Sequence, residues 1–127
     1  MLIGAHIELI LIVTGVLTAG AIVLFLAPAA VFTRVFGKAP DEAASLALAR
    51  HWGLIVFLIG ALLVYAAFDP PLRAPAMLVA AIEKCALGAG VLGSGLRDYP
   101  AARAAAIGDS LMALIFVLYF AGFWSVI

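Results

Sequence analysis

The sequence predicts an all-α membrane protein, a bundle of four transmembrane helices with a short interfacial helix between the first two. Three observations carry this. The chain of 127 residues is 68% hydrophobic and only 11% charged, its mean hydropathy is +1.29, and its apolar residues fall into four long blocks separated by Pro, Gly and charged clusters. Average soluble domains are roughly half apolar and a quarter charged, so lipid is the natural solvent for most of this surface.

A helix needs about 20 mostly apolar residues to cross about 30 Å of hydrocarbon. Segments 2–26, 51–68, 75–96 and 102–126 qualify within one integral membrane domain, 1–127. The first has no Lys or Arg before Arg34 and carries His6 and Glu8; a cleavable signal has a basic start and a shorter apolar core, so this segment is expected to be a retained span. Pro28, Gly37 to Pro40, Asp69-Pro70-Pro71 and Arg97 to Pro100 punctuate the breaks. The last two connections are short, which makes the final three spans antiparallel neighbours.

The longer first connection has structure of its own. Pro28 can open a helix, after which Val31, Phe32, Val35 and Phe36 fall on one side, as in a helix lying at a membrane interface. Asp41 and Glu42 then suit the first turn of a helix running through the Ala-rich stretch into span 2. Five basic residues, Arg34, Lys38, Arg50, Arg97 and Arg103, fall on the side opposite the N-terminus, against Arg73 alone on the N-terminal side. The positive-inside rule then predicts a multi-pass protein of the cell inner membrane with both termini outside the cytoplasm.

Net charge is zero and the basic residues are scattered, which excludes the footprint of a nucleic-acid binder. The single cysteine, Cys85, excludes an intrachain disulfide. There is no phosphate loop, paired-cysteine metal pattern, HExxH or nucleophile elbow. No metal site is expected, and a complete secondary transporter typically has more spans.

Glu83 and Lys84 stand out because they interrupt the apolar run from Ala74 to Leu96. A charged side chain at the bilayer centre costs about 2.5–3.5 kcal/mol on insertion scales, so such residues face protein, find partners or do chemistry. Side chains tilt toward a helix N-terminus, which gathers Glu8, Glu83, Lys84, Tyr65 and Tyr119 in the half of the membrane nearer the N-terminus. Ala86, Gly90 and Ser94 recur every four residues and suggest a close-packing face that includes Glu83, with Lys84 about 100° away on the flank. Glu8 is then the first candidate partner for Lys84. On the opposite side a contact between His51 and Asp109 is expected if spans 2 and 4 touch. The bland alternatives are a register-fixing charge for Glu83, a helix-start residue for His51, a first-turns acid for Asp109, and interfacial aromatics for Tyr65 and Tyr119.

The order Pro28, Phe36-Gly37, Arg50, Gly53, Gly60 and Arg73 resembles small bacterial four-span proteins of the DoxX-like and related uncharacterised families, which implies a membrane bundle. The layout is also similar to bacterial styrene oxide isomerase, with His51 after Ala49-Arg50 and an acid at Glu83 in the corresponding spans. That likeness implies a trimer and haem held through His51 as a Lewis acid that opens epoxides; the tyrosine and asparagine that follow the acid in that family have no counterpart here. The expectation is a small homo-oligomeric membrane enzyme acting on an apolar small molecule from the bilayer, by isomerisation or ring opening. Glu83 would be the acid/base, with Lys84, Tyr65, Tyr119 or Glu8 orienting it and Asp109 a further candidate. A non-catalytic accessory or assembly protein, whose charges specify helix pairing, is the competing expectation.

Overall fold

The computed structural model describes residues 6–122, and the expected ends of spans 1 and 4 lie outside these residues. Six α-helices follow one another: α1 Ile7–Ala19, α2 Ile22–Leu26, α3 Pro28–Phe36, α4 Ala43–Ala67, α5 Arg73–Leu92 and α6 Pro100–Phe120. Short 3-10 turns, Pro70–Leu72 and Gly95–Asp98, lead into α5 and α6. Four stretches are long and apolar enough to cross a bilayer: Ile7–Leu26, Ala43–Ala67, Pro70–Leu92 and Pro100–Phe120. The described residues thus form an all-helical bundle with the architecture of a multi-pass membrane protein.

The first span is not one uninterrupted helix. Thr14 and Thr18 each turn their hydroxyl back to the carbonyl four residues earlier, at 2.7 Å. Around Gly20 and Ala21 the backbone tightens to three-residue bonds. Back-bonding hydroxyls and a glycine are recognised causes of helix distortion. Here the break separates α1 from α2, and Thr18 lies just before it.

Glycine brings α1 and α2 against α4. A Cβ on Gly60 would fall 2.6 Å from the Gly15 carbonyl oxygen, and one on Gly53 would fall 2.8 Å from the Leu24 Cβ. The close approach expected of Ala86, Gly90 and Ser94 is therefore made elsewhere. Ala86 and Gly90 are exposed, and Ser94 donates to its own helix at the Gly90 carbonyl, 2.7 Å, and caps the turn that follows. α5 instead packs through Met77, Ala80, Ala81, Lys84 and Gly88, joining a core completed by Leu11, Leu63, Ala66 and Phe116. Many remaining large apolar side chains, such as Leu17, Leu58, Ile82 and Leu114, point outward, as a bundle solvated by lipid requires.

α3 opens on Pro28 and ends at Gly37, whose positive φ of 85° closes it in the left-handed conformation. Asp41 and Glu42 stand before α4 rather than in its first turn, Glu42 being its extended cap residue. At the same end of the bundle, Phe36 meets Tyr99 edge-on with ring centroids 5.0 Å apart. This contact ties α3 to the connection between α5 and α6. At the other end Arg73 donates to the Ala66 and Ala67 carbonyls at 3.1 and 2.9 Å, satisfying carbonyls that the last turn of α4 leaves open.

Candidate functional site: a buried charge pair beside an apolar groove

Helix rise is about 1.5 Å per residue, so Lys84 lies about 16 Å along α5 from Arg73. Asp109 lies about 14 Å along α6 from Pro100, which begins at the opposite end. Antiparallel neighbours about 30 Å long therefore bring the two side chains to one level near mid-depth. Thr18, about 18 Å from His6 along α1, reaches that level too. The structure joins all three. Lys84 Nζ donates to Thr18 Oγ1 at 2.7 Å and lies 3.3 Å from Asp109 Oδ1. Lys84 is fully buried, the one charged side chain so enclosed among the described residues.

The assignment of the two neighbours is thus the reverse of the sequence expectation. Lys84 faces the packed interior, because it shares the inward face of α5 with Ala80, Ala81 and Gly88. Glu83, one position around the helix, sits at the edge of that face and is half-buried. Both of its carboxyl oxygens are nevertheless shielded and have no hydrogen-bond partner among the described residues.

Glu83 borders two cavities. The smaller, about 180 Å³, includes Thr18, Glu83, Lys84 and Asp109 in an otherwise apolar lining. The larger is a groove of about 650 Å³, with Val31, Phe32, Val35 and Phe36 on one wall and Ala86, Leu87 and Gly90 on another. Ala101, Ala102 and Ala105 of α6 complete it. Glu83 is the one charged residue in its lining, and Trp52 borders both spaces. The apolar side of α3, expected to lie on a membrane surface, is the groove's wall. The small residues Ala86 and Gly90 leave its room.

The other expected participants lie apart. Glu8 is exposed and pairs with Arg73 at 3.6 Å, not with Lys84, because Arg73 begins α5 at the end where Glu8 begins α1. Tyr65 is 59% exposed. Tyr119 is half-buried and packs against the core, with its ring 6.4 Å from that of Phe120. Neither tyrosine lines the groove. His51 is exposed and does not approach the Asp109 carboxylate, which is turned to Lys84.

A haem on His51 is not supported by the residues around it. His51 is exposed and lines neither the groove nor the smaller cavity beside Glu83. Within one chain neither of these spaces lies beside His51 to seat the macrocycle.

Three participants escaped the sequence reading. Thr18 lies within the first apolar block and Trp52 at the start of the second, and neither stood out, while Arg73 counted only for its charge. Counting depth from opposite ends of spans 3 and 4 would have matched Lys84 with Asp109; no comparable signal marks Trp52.

Among the described residues, fold and site together define a small bundle of helices long and apolar enough to cross a membrane, with a buried ion pair and a shielded carboxyl on an apolar groove. Comparison with family models, with curated proteins and with solved structures finds no match for the chain.

Proposed function

We propose that this chain is a small integral membrane enzyme that admits an apolar molecule from the bilayer into the groove and moves a proton with Glu83. One observation carries the reading: a carboxyl group with both oxygens shielded and unpartnered stands on the wall of an otherwise uncharged groove. Buried polar groups are almost always hydrogen-bonded, and an exception calls for an explanation such as catalysis. A positioned carboxyl can serve as general acid or base, worth typically about 10²–10⁴-fold in rate. Isomerisation or ring opening suits a site with a single acid–base group and no motif for a nucleotide or phosphate donor. Lys84, held by Asp109 and Thr18, positions α5 and hence Glu83; it is not placed to attack a substrate.

The test is turnover of aryl epoxides and strained cyclic olefins by the protein in lipid nanodiscs, followed chromatographically. Glu83→Gln is expected to lower the rate by at least about 100-fold, while Cys85→Ala, an exposed position outside the groove, leaves it unchanged. Full turnover by Glu83→Gln overturns the assignment.

The buried Lys84–Asp109 pair also supports a second reading, an accessory protein whose charges specify helix pairing. A buried ion pair is best attested as a device for register and specificity. In that case Glu83→Gln leaves function intact, and disruption of Lys84 or Asp109 abolishes assembly with the partner.

We further propose residence in the inner membrane with both termini outside the cytoplasm. Support comes from the sequence bias of basic residues and from the Phe36–Tyr99 contact, which places the two connections bearing Arg34, Lys38 and Arg97 at one end.

A further inference from the structure

The small cavity holds three ionisable side chains, Glu83, Lys84 and Asp109. Counted as ionised, they sum to one surplus negative charge. Lys84 is committed to Thr18 and Asp109, and no donor among the described residues reaches Glu83. An ionised carboxyl is acceptor-only, so its natural complement is a donor, and a charged donor makes the stronger bond. The groove beyond it offers the rings of Phe32, Phe36 and Trp52. Aromatic faces attract a cation as well as an apolar body. No Lys, Arg or His lines this groove to repel one.

From these complementary features we infer that the groove also takes a lipophilic amine in the apolar substrate's place, its ammonium group donating to Glu83 and its apolar body lying between α3 and α5. The inference rests on the reading of the groove as a ligand site and names a second class of ligand, one that competes with the substrate for Glu83. Ala86 and Gly90 set the room for the body. A Cβ on Gly90 would meet nothing within 4 Å, so a larger side chain there occupies the groove without pushing helices apart.

Trp52 borders both cavities and can report occupancy. The chain has two tryptophans, so a Trp124→Phe background isolates its emission. In nanodiscs of neutral lipid, this protein is titrated with phenylbutylamine, phenylbutanol and phenylbutyric acid, which share one apolar body. The amine is expected to change Trp52 emission saturably and to bind at least about tenfold tighter than the alcohol, with the acid weakest. Glu83→Gln should erase the advantage of the amine, and Gly90→Leu should weaken amine and alcohol together, in variants whose thermal unfolding matches the parent. Equal binding of amine and alcohol, both lost in Gly90→Leu, overturns the amine assignment and leaves the groove as a ligand site. Emission changes that survive Gly90→Leu undiminished overturn the groove itself, and the inference with it.

Discussion

Lys84 is held where a lone cation could not stay. Removing one member of a buried pair leaves the other charge stranded and costs about 3–5 kcal/mol, whereas replacing both by apolar residues is often neutral. Lys84→Met is therefore expected to lower stability strongly, and Asp109→Leu likewise. The double variant should recover most of the loss. Denaturant unfolding in detergent, run as a double-mutant cycle, measures the coupling; additive losses would contradict a direct pair. Thr18→Val should be milder, since it removes one acceptor from Lys84. Glu83→Gln should not lower stability, because that shielded carboxyl bonds to nothing in the described bundle. Sequence alone located this pair of neighbours but mistook which one faces inward. The Ala86, Gly90 and Ser94 stripe suggested the wrong face because small residues serve close packing and open space equally well. Only the neighbours of a helix decide between the two.

Elements are set by different rules. α1 and α4 meet through Gly15 and Gly60, with no room for an added carbon. Gly60→Ala is expected to destabilise by about 1–3 kcal/mol through overpacking. Gly90→Ala, facing open space, should be neutral or stabilising, since alanine favours a helix by about 0.8–1 kcal/mol over glycine. Parallel unfolding titrations of the two variants check the contrast, and similar losses at both positions would refute it. Arg73 offers a second comparison. It closes the end of α4 by two carbonyl bonds, whereas its pairing with the exposed Glu8 is an outer contact. Exposed pairs contribute about 0–1 kcal/mol. Arg73→Ala should thus lower the unfolding temperature more than Glu8→Ala. Helix starts and stops were largely legible, since Pro28, Gly37 and Pro100 act through local backbone chemistry. The break at Gly20 was not, because an apolar run with one glycine is compatible with a straight helix.

At the scale of the whole molecule, four long apolar helices surround a thin core and turn large hydrophobic side chains outward. Cys85 offers a way to test their immersion. It is exposed on α5, about 18 Å along the helix from Arg73. In intact membranes it should resist a membrane-impermeant thiol reagent, which requires water, and react once the bilayer is replaced by denaturant. Ready labelling in membranes would place α5 outside the hydrocarbon. Reporter fusions at either terminus examine the proposed orientation, with activity expected from the reporter that works outside the cytoplasm.

The sequence by itself determined the four apolar stretches, their connections and the importance of residues 83 and 84. These follow from hydropathy and backbone chemistry, which act along the chain. Tertiary structure decided the rest: Lys84 with Asp109 and Thr18, Glu8 with Arg73, and the apolar side of α3 as a wall of the groove beside Glu83. Partners and cavities arise where distant segments meet at one depth and one rotation. A helix's own sequence gives the depth to within a turn, while the rotation is set by the packing of its neighbours.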